Sequence, residues 1–168
     1  EGMAFGVDPK VVEQVTKAVR KVTDKPVIVK LSPNVTDIVE IAKAVEAGGG
    51  NGVSLINTIL GMAIDIHRRQ PVLGNIYGGL SGPAVKPVAL RMVHQVYKGV
   101  TIPIIGLGGI MSGTDAIEFM MAGAQAVQVG TATMVDPTAI SRIAREMGDY
   151  VEQYNLNSIT DIVGAVHQ

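Results

Sequence analysis

Two glycine-closed turns in successive units constrain this chain more than any other feature. Residues 104–131, IIGLGGIMSGTDAIEFMMAGAQAVQVGT, read as two consecutive strand–turn–helix units. The first strand, Ile104 to Leu107, ends in Gly108-Gly109, and a helix follows from about Gly113 to Ala122, closed by Gly123 just past its C-cap. The second strand, Ala126 to Val129, ends in Gly130-Thr131. Parallel strands joined through helices bring their carboxyl ends to one edge, which predicts Gly108, Gly109, Gly130 and Thr131 as neighbours. Glycine lets backbone N–H groups approach a phosphate that a Cβ would hold off, and adjacent helix N-termini favour its negative charge. The plainer alternative is that these glycines only make tight turns.

With 168 residues the chain is long enough for one domain with a real core. Apolar residues at 47% and charged residues at 17% exclude a disordered chain. Lys and Arg number 14 against 15 Asp and Glu, without a basic run, so nothing points to nucleic acid or an anionic membrane. No apolar run reaches the roughly 18 residues that span a bilayer, and the expectation is a cytoplasmic protein. There is no cysteine, hence no disulfide, thiolate nucleophile or iron–sulfur ligand on these residues. The opening EGMAFG runs straight into a loop and reads as an interior cut.

Taken in order, Asp8-Pro9 supplies a cap and an N1 proline for a helix from about 9 to 23, with Val11, Val12, Val15, Ala18, Val19 and Val22 at helical spacing. Val27 to Leu31 reads as a strand covered on both faces, interrupted by Lys30. A helix over about 36–47 is expected to be capped by Thr36 or Asn34, and the strand Val53 to Asn57 follows a glycine-rich stretch. Residues 58–82 exceed the usual βα-loop of about 2–6 residues and form an insertion. Alternation around Ile64 and Ile66, and more weakly at Val72-Leu73 and Ile76-Tyr77, predicts a short hairpin there, placed as a lid or partner surface. A helix over about 84–98 precedes the two glycine-closed units. Asp136-Pro137 then opens a helix to about Tyr154, and Ser158 to Asp161 reads as a capping box for a last helix through Val166.

That gives four βα units, whereas a closed (β/α)8 barrel needs eight. Four parallel strands alone leave two edges and one face open. The reading is therefore α/β, the C-terminal half of a TIM (β/α)8 barrel with a long insertion after its second strand, residues 1–168 forming part of one domain. Barrels place their phosphate loops in the last units, as here. A flavodoxin-like open sheet is the alternative.

Lys30 stands at the active end of its strand, where an ammonium can stabilise a developing anion; the plainer role is a snorkelling lysine. Asn57 closes the next strand and offers a donor and an acceptor to a planar polar ligand. His67, His94 and His167 lack metal spacing and read as surface residues, and Asp65, Arg68 and Arg69 as a solvated face or protein contact. The methionines Met62, Met92, Met111, Met120, Met121 and Met134 are expected to fill core gaps or line loops.

Five segments in register, KLSPNV at 30–35, LINT at 55–58, GGLSGPA at 78–84, PIIG with Gly108-Gly109-Ile110, and VQVGTA at 127–132, resemble the class 1 dihydroorotate dehydrogenases, most closely the NAD-linked kind. The resemblance covers essentially the whole chain. It implies a (β/α)8-barrel flavoprotein that binds FMN and oxidises dihydroorotate to orotate in pyrimidine biosynthesis. By position, Lys30 would lie beside the flavin and stabilise its reduced ring. Ile56 and Gly82 would contact FMN through the backbone, and Gly108, Gly109, Gly130 and Thr131 would hold its phosphate. Asn57 and Thr58 would bind the pyrimidine.

The family's proton-abstracting base is a cysteine just upstream of the segment matching Glu1 to Gly6, so no residue here takes that role. The first strands of the family's barrel, with further flavin and substrate residues, are likewise not represented, and this part alone is expected to be inactive. The NAD-linked relatives pass electrons to NAD through a partner subunit carrying FAD and a 2Fe–2S cluster, and a homodimer of catalytic subunits is expected. From the residues alone, an isomerase or aldolase that grips a phospho-ester, or a non-catalytic half-barrel module, remains open.

Overall fold

The computed structural model describes residues 5–167, so residues 1–4, the core of the cut-like opening, lie outside it. Helix α1, Pro9–Arg20, begins where the Asp8 carboxylate accepts from the Lys10 amide at 2.8 Å. It stops short of the expected residue 23, because the Arg20 guanidinium turns back to the carbonyls of Thr23 and Lys25 and leaves Val22 exposed. Strand β1, Ile28–Leu31, follows. Helix α2, Ile38–Ala47, is capped by Asp37, whose carboxylate accepts from the Val39 amide, and not by Thr36 or Asn34. The Asn34 side chain is committed elsewhere, to Thr58 and Leu60.

Strand β2, Gly52–Leu55, ends two residues before the expected Asn57. The insertion is a longer arm than one short hairpin. Its outer ladder pairs β3, Ile59–Met62, with a returning strand at Tyr77–Leu80, and its inner ladder pairs β4, Ile64–Asp65, with β5, Gln70–Pro71. The returning strand is β6. Asp65 closes the tip by accepting from the amides of His67 and Arg68, which gives that acidic residue a structural role.

A 3-10 turn at Pro83–Val85 leads into α3, Lys86–Tyr97. Strand β7, Ile104–Leu107, and helix α4, Gly113–Met121, match expectation, the helix being opened by a Ser112–Asp115 capping box. After β8, Ala126–Gln128, the chain enters a five-residue helix α5, Thr131–Val135, which the sequence reading had not separated. Helix α6, Ala139–Gln153, starts later than Asp136-Pro137 implied, because Asp136 caps the turn before it by accepting from the Thr138 amide and hydroxyl. The Ser158–Asp161 capping box is present, but it opens a 3-10 turn, Ile159–Ile162, followed by another at Ala165–His167, instead of one helix.

The main sheet runs β1-β2-β7-β8 with every pair parallel, so the fold is α/β with four parallel strands. Register aligns Leu31 with Leu55 and Val53 with Ile104 on the face that packs under α2, α3 and α4. Leu31, Val53, Leu55, Ile104 and Phe119 are fully buried there. The other face is open: Ile28 is 50% exposed, and Lys30, Ala126 and Gln128 are exposed as well. The expectation that the first strand is covered on both faces is thus corrected. Only β2 is buried along its whole length. An edge strand at each side and one bare face are what half of an eight-strand barrel presents.

His67 is exposed as expected, but His94 and His167 depart from a plain surface reading. His94 and His167 stack with ring centroids 4.1 Å apart, and Tyr97 stacks on His167 at 4.7 Å. His167 Nε2 lies 3.0 Å from the Ala122 carbonyl oxygen, so this contact fastens the end of the chain to α3 and the end of α4. Met92 and Met120 fill the core as expected, while Met134 is 89% exposed on α5.

Candidate functional site

At the carboxyl end of the sheet the four strands open into a cleft with an empty volume of about 570 Å³. Lys30, Ile56, Asn57, Thr58, Gly82, Gly108, Gly109, Gly130 and Thr131 all line it, so the residues read as flavin and pyrimidine contacts fall in one place.

Each is placed by its strand or turn. Lys30 alternates with the buried Leu31 and therefore projects on the open face, toward the cleft. The chain past β2 keeps pairing with its neighbours: the Ile56 amide donates to the Leu107 carbonyl at 2.8 Å and the Asn57 amide to the Leu31 carbonyl at 2.9 Å. Ile56 is buried, while Asn57 and Thr58 are exposed at the rim. The Asn57 side-chain oxygen accepts from the Thr58 amide at 2.8 Å. Asn34 holds the next turn by donating to the Thr58 carbonyl and accepting from the Leu60 amide, both at 3.0 Å.

The glycine turns meet as the parallel topology requires. Gly109 has φ +77°, and a Cβ there would lie 2.7 Å from the Gly82 carbonyl oxygen and 2.9 Å from the Lys86 amide nitrogen. A side chain would therefore strain the backbone and wedge the turn off the start of α3. The Thr131 hydroxyl donates to Ser81 Oγ at 3.0 Å, joining the last turn to the end of the hairpin arm. Three chain segments thus converge: the turn before α3, the turn after β7 and the turn after β8.

Electrostatics follow the same geometry. Among the described residues lining the cleft, Lys30 alone carries a charge and no carboxylate is present. The remaining lining mixes apolar residues, Ile56, Val85, Leu107 and Ile110, with hydroxyl- or amide-bearing ones, Ser81, Thr131, Asn57 and Gln128. An anion with a flat apolar body suits such a surface. Among the described residues there is no cluster that could hold a metal ion, and no helix is long and apolar enough to cross a membrane.

Sequence reasoning did not single out Ser81, Gln128, or the ion cluster behind the glycine turns. Ser81 lay inside the GGLSGPA motif, and Gln128 two residues before Gly130 on the strand face shared with Lys30, so both had a readable signal. The cluster had none, since Lys86 and Asp115 are 29 residues apart. There the Lys86 ammonium is 2.6 Å from Asp115 and 2.7 Å from Glu118. Hydrogen bonds to both carboxylates raise the Lys86 ammonium above its ordinary value. Burial pushes the Asp115 carboxyl up, but hydrogen bonds from Lys86, Met111 and Ser112 outweigh it and hold that group below the usual range.

Comparison with known proteins agrees with this geometry. The family model for dihydroorotate dehydrogenase matches residues 1–151. A protein of Alkaliphilus oremlandii named dihydroorotate dehydrogenase B (NAD(+)), catalytic subunit, is 61% identical over 97% of this chain and 54% of its own length. Relatives of the same name in Desulforamulus reducens and Geobacter sp. strain M21 are 62% and 59% identical, over 99% and 98% of this chain and 55% and 54% of their own lengths. The chain spans about half the length of the curated relatives it matches. Identity this high over nearly every residue here, together with the family match, has one reading: the chain belongs to the dihydroorotate dehydrogenase family.

Proposed function

We propose that these residues form the FMN-gripping part of a dihydroorotate dehydrogenase that oxidises dihydroorotate to orotate in pyrimidine biosynthesis, within a larger (β/α)8 barrel. The observation that carries this is the convergence of Gly82, Gly109 and Thr131 with Lys30 in one cleft free of carboxylates. The cleft fits FMN: a Cβ at Gly109 would fill the space beside the Lys86 amide, and Ile56, Leu107 and Ile110 supply an apolar wall.

In this reading the amides of Gly108, Gly109, Gly130 and Thr131 hold the phosphate, and Ile56 and Gly82 meet the cofactor through their backbone. Bound there, FMN supplies the acceptor for the hydride that leaves the substrate. Lys30 presents a positive charge on the open face of β1, toward the ring side of the cleft. Asn57 and Thr58 offer paired donors and acceptors to the flat pyrimidine, and pairing between Asn57 Oδ1 and the Thr58 amide orients them. Among the described residues the cleft lining holds no carboxylate, imidazole or thiol. The resemblance to the family assigns the proton to a cysteine, a residue type this sequence does not contain.

The relatives' name, catalytic subunit of an NAD(+) enzyme, supports transfer of electrons to NAD through a partner subunit. That partner is assigned FAD and a 2Fe–2S cluster, the catalytic subunits a homodimer, and the enzyme the cytoplasm. Flavin titration tests the core of the reading. FMN added to the intact protein is expected to be quenched and to saturate stoichiometrically. An intact protein that ignores FMN and takes a sugar phosphate instead would favour an isomerase or aldolase.

A further inference from the structure

Behind the glycine turns lies a polar cluster, Lys86, Asp115 and Glu118, that contributes no residue to the cleft lining. Asp115, in the first turn of α4, divides its carboxylate between two tasks. Its Oδ2 accepts from the amides of Met111 at 2.8 Å and Ser112 at 3.0 Å, fixing the end of the turn that begins at Gly108. Its Oδ1 accepts from the Lys86 ammonium at 2.6 Å. Lys86 is the first residue of α3, and its backbone nitrogen and Cβ both stand 2.9 Å from where a Gly109 Cβ would be. The two helix starts that face the cleft are thereby tied together by one ion pair, with Gly109 clamped between them. Glu118 adds a second carboxylate to Lys86 at 2.7 Å. The side chains of Lys86 and Asp115 are 26% and 15% exposed, so water competes with this pair less than with a surface one.

We infer that Lys86 is a positioning residue for anion binding: through Asp115 it sets the 108–112 turn against the start of α3, and so tunes the grip on the flavin's phosphate without contacting the flavin. This rests on the flavin reading above. A turn held only by its own backbone would sample orientations in which its amides point away from a common anion, and each lost donor weakens a charge-assisted bond. The device acts on the phosphate end alone. Its removal must therefore discriminate between ligands that carry a phosphate and those that do not.

The test compares FMN with riboflavin, which has the same ring and no phosphate, by fluorescence titration of the intact protein carrying the wild-type chain, Lys86→Met, Lys86→Arg or Glu118→Gln. Expected is a loss of about tenfold in FMN affinity for Lys86→Met with riboflavin affinity unchanged, and near wild-type behaviour for Lys86→Arg and Glu118→Gln, which keep the bond to Asp115. Amide exchange at Met111 and Ser112 should quicken in Lys86→Met, while exchange in β2 stays as in wild type and reports an intact core. Equal losses for FMN and riboflavin, or unchanged FMN binding and exchange, overturn the inference. A wild-type chain that binds no FMN overturns the flavin reading and this inference with it, whereas wild-type binding matched by Lys86→Met overturns the inference alone.

Discussion

The Asn34 side chain bridges the segment after β1 to the base of the hairpin arm, giving its amide to the Thr58 carbonyl and taking the Leu60 amide, each at 3.0 Å. One side chain thus does for two backbone groups what a neighbouring strand would do. Asn34→Ala removes both bonds, and the arm's base should loosen by about 1–2 kcal/mol, read as faster amide exchange at Leu60 with little change in β2. Equal protection at Leu60 in both proteins would show that the bridge is ornamental.

Gly109 and Gly130 look alike in sequence but not in space. Gly109 has φ +77° and is pressed against Gly82 and Lys86, whereas a Cβ at Gly130, where φ is −113°, meets nothing within 4 Å. Gly109→Ala should therefore destabilise by about 1–3 kcal/mol and weaken flavin binding sharply. Gly130→Ala should change stability by no more than about 0.5 kcal/mol, as thermal unfolding of the two variants side by side would reveal.

Acid should act through Glu46 among others. Its carboxylate accepts from the Thr101 hydroxyl at 2.6 Å, the Thr101 amide at 2.8 Å and the Ile102 amide at 3.2 Å, and the Thr101 bonds hold the group below its ordinary 4.5. A depressed carboxyl contributes stability that is complete above the unfolded value and is lost as pH falls through the folded one. Glu46→Gln should lower stability near neutrality by about 1 kcal/mol and flatten the decline below pH 4.5, measured by urea unfolding across pH.

His94 acts in a different pH window. Burial, and then the nearby charges of His167 and Lys98, depress His94 below its ordinary 6.5. For a base the folded state then binds the proton less readily than the unfolded chain, so stability is complete above pH 6.5 and declines as pH falls below it. His94→Phe keeps an aromatic partner for His167 without a charge. Unfolding midpoints of that variant should stay level between pH 7 and 5.5 while the wild type falls, by about a degree or more.

Much of the architecture was readable because the chain announces it locally. Pro9 after Asp8, the apolar run at 104–107 and the Ser158 capping box each act over a few residues, and the rule for parallel strands carried the two glycine turns to a shared edge. What escaped depends on distance or competition. Asp37 displaced Asn34 as a cap because Asn34 is drawn across to the hairpin, a partner 24 residues away. Helix α5 was hidden because TATMV has no cap residue and no amphipathic period, and the Lys86–Asp115 tie joins two helices that sequence treats separately. The bare face of β1 was missed because Val27 to Leu31 reads as uniformly apolar but for Lys30, and period-two burial cannot be seen in a run that barely alternates.

That single lysine does more than wait in the cleft. Sliding β1 by one residue against β2 would swing the ammonium beneath α2, among side chains that admit no water, and turn Leu31 out to solvent. An unpaired buried cation costs several kcal/mol, so one charge vetoes every odd-numbered misalignment of an otherwise permissive strand. The residue assigned to the chemistry is also a proofreader of assembly, and replacing it with an apolar residue should yield a chain that folds into more than one alignment.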